Sequence, residues 1–310
     1  MAGIRTMASK RRALTAAAIA LFIAAAAIVI NINHSGGRNT DKSGYTGIAI
    51  YNTDEITAVF RQTLEHRSNS VRISFRAYTL DEYAVEETVG ELVRDAFYES
   101  SDPKGGDYLR YQYGGYELKY SSSPEGDMYQ YNVSLTPVCY TSIEQEDTVD
   151  TIVEDLLNTS DISPASPDLE KVRWVHDYIC DTVAYDTVHK HQPGSNHIQS
   201  TAYGALYYHT ALCQGYAVLA YRLLKELGVD VRIITGVCNA SGKIEKHAWN
   251  IVKVDGLYYN MDVTLDDQDG SMDYFLKTDD HFEDTHTRDA EFMSEEFYTE
   301  YPMSEENYHL

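Results

Sequence analysis

Residues 212–228 read LCQGYAVLAYRLLKELG, and this stretch decides the fold. Its apolar residues and the closing Gly228, at a natural helix C-cap position, predict a helix that begins at or near Cys213. The unpaired amides and the positive dipole end of a helix N-terminus stabilise a thiolate, which lowers the pKa of a cysteine from its reference value of about 8.5. Gly215 leaves room for close approach of another segment or a substrate. Because most cysteines are small buried hydrophobes, this position alone makes Cys213 only a candidate nucleophile.

A β-hairpin is predicted downstream of this helix. Residues 247–254 (HAWNIVKV) and 257–264 (LYYNMDVT) alternate like strands. Asp255-Gly256 between them is a strong signal for a two-residue turn. With these two residues at the centre of the turn, the register of the whole hairpin follows.

That register brings a histidine close to an acid. Val254 faces Leu257, so His247 faces Thr264, and Asp262 is the diagonal neighbour of His247 on the same face of the sheet. Diagonal neighbours lie about 7 to 8 Å apart at the backbone, which lets a carboxylate reach an imidazole nitrogen. A register shift of one residue would separate the two side chains.

A cysteine at a helix start, with a histidine and an aspartate on neighbouring strands, is the arrangement of a nucleophile, a base and an orienting acid. The thiolate of Cys213 attacks an acyl carbon, and His247 handles the proton and later returns it to the leaving amine. Asp262 fixes the imidazole tautomer. We therefore predict Cys213, His247 and Asp262 as the catalytic residues.

Three motifs in this region match a known family. The segments 212–216 (LCQGY), 247–250 (HAWN) and 255–264 (DGLYYNMDVT) together resemble the transglutaminase-like superfamily in its bacterial extracytoplasmic form. The resemblance covers roughly Pro167 to Asp284, with the motifs in the family's order. It implies an α+β fold with a papain-like core, in which the cysteine helix packs against an antiparallel sheet that carries the histidine and the aspartate.

The resemblance also implies site roles. Carried over by position, Cys213 is the nucleophile, His247 the base and Asp262 the third member. One departure is Leu265, where relatives often have tryptophan, and we interpret it as a change in packing. The second oxyanion-hole donor, beside the backbone amide of Cys213, stays open. The candidates for it are Gln199, Tyr203 and Gln214.

The N-terminal residues differ in character from the rest of the chain. Residues 1–12 form a basic leader, and Ala13 to Ile30 is an apolar run with Thr15 as its only polar side chain. As a helix, this run nearly matches a hydrocarbon core of about 30 Å. Basic residues before it favour an orientation that sends the remainder across the membrane. We expect a transmembrane anchor, with a cleaved signal peptide or a buried helix as alternatives. Residues 31–47 read as a linker.

Two folded parts are expected after the linker. Residues 48–160 read as a small α+β module of unknown role, and a Ser/Pro stretch at 163–167 marks the boundary before a transglutaminase-like domain over 166–310. A closing strand and loop are expected over 274–289, and their His281 and His286 could lie near the cleft, with surface positions as the simpler expectation. The other predicted elements are strands over Val71–Tyr78, Tyr108–Tyr120 and Met128–Tyr140, and helices over Glu82–Tyr98, Glu144–Asn158 and Ser166–Val183.

Composition limits the partners and cofactors. The 310 residues carry 25 Lys plus Arg and 48 Asp plus Glu, a formal net charge of -23, so nucleic acid is not an expected partner. We predict no cofactor and no metal, because no cysteine pair has zinc-ligand spacing, the acidic turn at 266–273 fails the EF-hand pattern, and a loop with three histidines has no further ligand. That loop holds His189, His191 and His197. A single disulfide among Cys139, Cys180, Cys213 and Cys238 stays open.

The predicted function is that of an extracytoplasmic thiol enzyme acting on amide bonds. Hydrolysis and acyl transfer to an amine pass through the same thioester, so the motifs do not separate them. Expected substrates are peptides or proteins, such as cell-wall peptides or surface proteins. The alternative is a non-catalytic binding or scaffold module at the cell surface that retains the fold.

Overall fold

The chain forms two compact units. The computed structural model describes residues 28–33, 46–50, 53–68, 70–77, 82–188, 198–240 and 242–309. The first unit comprises the chain up to Tyr98 together with Tyr113–Cys139. The second unit comprises Glu99–Gln112 and Tyr140–Leu310. The division therefore differs from the expected boundary at residues 160–166, because two earlier segments belong to the second unit.

The first unit is built on an antiparallel sheet of five strands. They lie in the order Thr46–Ile50 (β2), Ile28–Asn33 (β1), Ser70–Ala77 (β3), Met128–Cys139 (β5) and Tyr113–Glu125 (β4). Its strand pair β4 and β5 is joined by a tight turn at Gly126 and Asp127, so the pairing continues up to Glu125 and Met128. The predicted strand over Val71–Tyr78 and the predicted helix over Glu82–Tyr98 are confirmed here, apart from shifts of a few residues at their ends. Its elements are β1 (Ile28–Asn33), β2 (Thr46–Ile50), α1 (Thr53–Glu65), β3 (Ser70–Ala77), α2 (Glu82–Asp95), β4 (Tyr113–Glu125) and β5 (Met128–Cys139).

The predicted N-terminal segments fall largely outside the described residues. Of the apolar run from Ala13 to Ile30, only the last three residues are described, and they begin strand β1. The expected linker over 31–47 lies outside them except at its two ends, which belong to β1 and β2. Among the described residues, no helix has both the length and the apolar character needed to cross a membrane. The histidine loop over 189–197 also lies outside the described residues.

The second unit places a central helix against a four-stranded antiparallel sheet. The strands lie in the order Leu257–Met261 (β10), Glu245–Val254 (β9), Val231–Cys238 (β8) and His286–Arg288 (β11). Most residues of that helix, α7, are buried over Gly215–Leu224. The elements are α3 (Gly106–Arg110), α4 (Ile143–Thr159), α5 (Asp168–Thr182), β6 (Ala184–Tyr185), a 3-10 turn (Ile198–Ser200), α6 (Ala202–Tyr207), β7 (Thr210–Ala211), α7 (Cys213–Glu226), β8 (Val231–Cys238), β9 (Glu245–Val254), β10 (Leu257–Met261), α8 (Val263–Asp269), α9 (Asp279–Glu283), β11 (His286–Arg288), a second 3-10 turn (Ala290–Met293) and α10 (Glu295–Glu300).

Gly215 explains how closely the chain packs at the start of α7. A Cβ atom added there would lie 2.4 Å from the backbone oxygen of Gln199, which is a forbidden contact. The same oxygen accepts a hydrogen bond of 2.8 Å from the Leu212 amide. The predicted close approach at Gly215 is therefore confirmed, and it fixes the 3-10 turn beside the residue that precedes Cys213.

The predicted hairpin is present, but it is shorter than expected. Asp255 and Gly256 both have positive φ values, 51° and 91°, as a type I′ turn requires. The register is confirmed, since Leu257 pairs with Val254 and Met261 with Asn250. Strand β10 stops at Met261, however, and the expected strand pairing of His247 with Thr264 is wrong.

The predicted strand over Tyr108–Tyr120 is wrong in its first part. Residues 106–110 form helix α3, and the strand begins only at Tyr113. A buried ion pair accounts for the difference. Asp107 accepts hydrogen bonds from the Arg232 guanidinium at 2.7 and 3.2 Å and from the Ile233 amide at 2.8 Å. These bonds tie α3 to β8 within the second unit.

Removing the carboxylate of Asp107 would leave Arg232 without its main partner in the protein interior. We expect Asp107→Ala to lower the free energy of unfolding of the second unit by about 3 kcal/mol, since losing one member of a buried pair exposes the other to an uncompensated desolvation cost. Both tryptophans, Trp174 and Trp249, belong to this unit, so tryptophan fluorescence in a urea titration measures its unfolding. The exposed Asp161→Ala is the control, with an expected change within about 0.5 kcal/mol. Equal effects of the two variants would contradict the role given to Asp107.

Candidate active site

Cys213 is the first residue of helix α7. The residue before it, Leu212, has an extended backbone and makes no side-chain cap hydrogen bond, so the first amides of the helix are not capped from that position. The thiol is half-buried and not in a disulfide. Cys213 thus combines a helix N-terminus with access from outside, as predicted.

His247 lies near the start of strand β9 and pairs with Gly236 of β8. Its Nε2 is 2.6 Å from Oδ2 of Asp262, and its side chain is 9% exposed. The imidazole and the thiol of Cys213 also lie close enough to interact electrostatically. With Nε2 facing the carboxylate, Nδ1 is the ring nitrogen left for the thiol. The histidine therefore lies between the cysteine and the acid.

Asp262 reaches His247 by a different route from the one expected. It is not a strand residue but the N-cap of helix α8, and its Oδ1 accepts hydrogen bonds from the amides of Thr264 at 3.0 Å and Leu265 at 3.2 Å. Its other oxygen, Oδ2, faces the imidazole. The carboxylate is fully buried. Helix capping therefore holds one oxygen and aims the other at the histidine.

The three groups shift one another's pKa values. Burial raises the pKa of the Cys213 thiol, but the charge and hydrogen bond of His247 outweigh burial and bring that pKa below its ordinary value. Burial would lower the pKa of His247, yet Asp262 and Cys213 raise it well above its ordinary value. Burial likewise opposes ionisation of Asp262, but His247 and His286 hold the pKa of its carboxyl well below the usual range. These shifts all favour a thiolate beside an imidazolium over the neutral pair.

A second histidine contacts the acid of the site. The sequence left His286 either near the cleft or, as the simpler expectation, at the surface; it is 5% exposed, and its Nε2 lies 3.1 Å from the same Oδ2 of Asp262. The Nδ1 atom is 2.8 Å from the hydroxyl of Thr285. Strand β11 brings it there by pairing with β8, where His286 is opposite Cys238. The predicted closing strand was the available signal, but its pairing partner is not legible from the sequence.

The candidates for the second oxyanion donor are separated by their contacts. Gln214 donates its amide to the backbone oxygens of Tyr111 and Ser200. The ring of Tyr203 packs against Tyr207 and Tyr208, with ring centroids 5.0 and 5.8 Å away. Gln199 lies next to the N-terminus of α7, and its side-chain oxygen is buried without a partner among the described residues. Gln199 thus remains the candidate whose position fits the role best.

A second buried histidine–aspartate pair supports the helix that Asp262 caps. His176 of α5 has its Nε2 3.1 Å from Oδ2 of Asp266 in α8, and its Nδ1 3.0 Å from Asp177. Burial opposes the charged form, but the hydrogen bond to Asp266 is the main effect that raises the pKa of His176 to about 10. The charged pair joins α5 to α8 in the interior. The His176–Asp266 pair therefore stabilises the position of α8 and lies apart from Cys213.

The same region matches a protein family. The sequence profile described as the transglutaminase-like superfamily matches residues 157–263, a range that includes Cys213, His247 and Asp262. The chain carries a transglutaminase-like domain. No curated protein is significantly similar in sequence to the chain.

Solved structures also resemble this transglutaminase-like protein. A structure described as a TGase is 19% identical with a TM-score of 0.35, covering 62% of this chain and 50% of its own. An inferred cysteine protease from Cytophaga hutchinsonii is 14% identical with a TM-score of 0.30, covering 49% of this chain and 65% of its own. An inferred protease from Parabacteroides distasonis is 14% identical with a TM-score of 0.25, covering 47% of this chain and 37% of its own. The chain thus spans about half the length of the TGase structure.

The coupled ionisation of the transglutaminase-like site can be measured by alkylation. Thiolate is the reactive form, so a lowered pKa keeps Cys213 reactive as the pH falls below 7, whereas an ordinary thiol is then mostly protonated. At pH 6.5 we expect iodoacetamide to modify Cys213 at least about tenfold faster than a model thiol. In His247→Ala the midpoint of the pH–rate profile should move to higher pH. Peptide mapping reports Cys180 in the same sample as the internal control. A rate at Cys213 no higher than that of the model thiol would contradict the thiolate–imidazolium pair.

Proposed function

We propose that the chain is a thiol enzyme that acts on amide bonds of peptides or proteins through a thioester at Cys213. The observation that carries the proposal is the juxtaposition of the Cys213 thiol, the His247 imidazole and the buried carboxylate of Asp262, with 2.6 Å between His247 and Asp262. The transglutaminase-like domain supports the same reaction class.

The geometry assigns one task to each group. The thiolate attacks the acyl carbon, and the first helix amide at Cys213 is positioned to stabilise the oxyanion that forms. His247, as the imidazolium, gives its proton to the departing amine, and the C–N bond breaks to leave the thioester. The neutral imidazole then takes a proton from the incoming nucleophile, whose attack releases Cys213. Asp262 keeps the ring oriented and stabilises its charge throughout.

Water and an amine are the two nucleophiles that would resolve this thioester. Water yields a peptidase or amidase, and an amine yields a crosslink or another acyl transfer. Both outcomes use the same three groups. The reaction class proposed here is therefore amide-bond cleavage with thioester formation, and the acceptor is an outcome of the experiment below.

The proposal places the enzyme outside the cytoplasm. Its support is the order of the basic leader and the apolar run over 13–30, which favours translocation of all that follows. A single-pass anchor is the main form of this proposal, and secretion after signal cleavage is the other. The proposed substrates are accordingly cell-wall peptides or surface proteins, and no nucleic acid is involved.

Capture of the acyl-enzyme tests the reaction. We expect membranes containing the full chain to yield a peptide attached to Cys213, detected by mass spectrometry after rapid acid quench. His247→Ala should abolish the adduct, and Asp262→Asn should slow its formation by roughly 10²-fold or more, because the imidazole loses its orienting charge. Cys180→Ser is the matched control and should still form the adduct. A folded chain with no adduct at Cys213 would favour the non-catalytic binding module.

Topology is tested separately with a thiol reagent that does not cross membranes. Intact cells or spheroplasts that express the chain should be labelled at Cys213, since the proposed orientation exposes the second unit to the outside. A variant with Lys10, Arg11 and Arg12 changed to glutamate is expected to reduce this labelling. Labelling only after the membrane is permeabilised would overturn the extracytoplasmic placement and leave the chemistry untouched.

A further inference from the structure

Three ligand-type side chains converge beside the proposed catalytic pair. Cys238, His247 and His286 each offer one ligand atom, and these atoms all lie within 4.8 Å of one another. Cys238 and His286 are buried, and His247 is partly exposed. The cluster was invisible in the sequence, because its residues are far apart and none has metal-ligand spacing. It forms only when strands β8, β9 and β11 pair.

Strand register puts the three side chains on one face of the sheet. Cys238 is directly opposite His286, and His247 is directly opposite Gly236, two residues before Cys238 on β8. Paired residues share a face, and so do residues two apart on one strand. Cys238 therefore has one histidine opposite and the other diagonal to it. At Gly236 a Cβ atom would lie 2.0 Å from the backbone oxygen of Thr287, so only glycine allows β11 to pair this closely with β8.

The surroundings hold the two imidazoles in place. The rings of His247 and His286 lie 5.5 Å apart between centroids, and both rings contact Oδ2 of Asp262. Trp249 and Phe282 pack against His286 with ring centroids at 4.9 and 4.4 Å. The Asp262 carboxylate therefore restrains both rings. The aromatic rings exclude water from one side of the cluster.

The sulfur of Cys238 is the third potential ligand atom of the cluster. It accepts a hydrogen bond of 3.4 Å from the Ala240 amide. Zinc binds the thiolate form at about 2.3 Å and imidazole nitrogen at about 2.0 to 2.1 Å. In a tetrahedral site such ligands lie roughly 3.5 Å apart, so contraction of the cluster by about 1 Å would accommodate the ion.

We propose that Cys238, His247 and His286 form a binding site for a soft divalent cation, Zn²⁺, whose occupation switches off Cys213. One thiolate with two imidazoles is a donor set that suits zinc rather than calcium or magnesium. A metal-bound imidazole has given one ring nitrogen to the ion, so it cannot become an imidazolium. His247 then neither pairs with the thiolate nor delivers a proton to a leaving amine. The binding site stands on its own geometry, whereas the inhibition rests on the function proposed above.

Cobalt serves as a spectroscopic substitute for zinc and decides the binding question without any substrate. The purified full chain, reduced and kept in a mild detergent, should bind one Co²⁺ with a thiolate-to-cobalt charge-transfer band in the near ultraviolet, and zinc should displace it. Competition against a chromogenic chelator gives the zinc affinity. We expect Cys238→Ser to remove the band, and Cys238→Ser and His286→Gln each to weaken zinc binding by roughly a hundredfold.

Two matched variants locate the ion. Cys180→Ser removes a half-buried thiol that lies beside a single histidine, and it should leave the band and the affinity unchanged. Cys213→Ser should also retain the band. Loss of the band in Cys213→Ser, or its persistence in Cys238→Ser, would overturn the assignment of ligands. Far-ultraviolet circular dichroism confirms that each variant is folded, and His286→Gln gives a second measure should Cys238→Ser fold poorly.

Alkylation measures the inhibition. At pH 6.5, saturating zinc should slow iodoacetamide modification of Cys213 at least tenfold, and EDTA should restore the rate. In Cys238→Ser the same zinc concentration should have little effect. An unchanged rate at Cys213 with the metal bound would overturn the inhibitory role. A Cys213 that reacts slowly even without zinc would count against the proposed enzyme function, and the cobalt band would still decide the metal site.

Discussion

The buried carboxylate of Asp262 is the interaction on which the rest of the site depends. A charge in the protein interior is tolerated only when hydrogen bonds and opposite charges surround it. Asp262 has both, with the amides of Thr264 and Leu265 on one oxygen and the imidazoles of His247 and His286 on the other. Each donor therefore contributes to the ionised state that raises the pKa of His247 and, through it, stabilises the thiolate.

The fold supplies these donors from elements that are fixed independently. Asp262 caps helix α8, and the buried pair of His176 and Asp266 ties this helix to α5. Helix α7 is buried along most of its length and presents Cys213 at its first residue, while the close contact at Gly215 fixes the turn beside it. The proposed catalytic groups thus lie at the ends of rigid elements, which limits their motion and preserves the geometry that the proposed reaction requires.

The sequence predicted which residues lie close together better than it predicted the helices and strands that carry them. The Asp255-Gly256 turn specified the hairpin register, and that register correctly put the acid near His247. The strand assignment for the residues after Met261 was wrong, since two or three alternating residues do not separate a strand from a helix start, and aspartate is also a preferred N-cap. Assignment of α3 to the second unit depends on the contact between Asp107 and Arg232, which are 125 positions apart. No local pattern reports such a contact.

The place of His286 shows why tertiary pairing matters for function as well as for fold. Strand β11 is only three residues long, yet its pairing with β8 adds a second imidazole to Asp262 and places a thiol beside it. The arrangement that activates Cys213 gathers nitrogen and sulfur lone pairs in one place, and a soft metal ion needs the same groups. An imidazolium has no lone pair for a metal, and a metal-bound imidazole accepts no second proton. The thiolate–imidazolium state and the metal-bound state of His247 therefore exclude each other. His247 can thus belong to both the proposed catalytic triad and the proposed inhibitory site, and it serves in only one of them at a time.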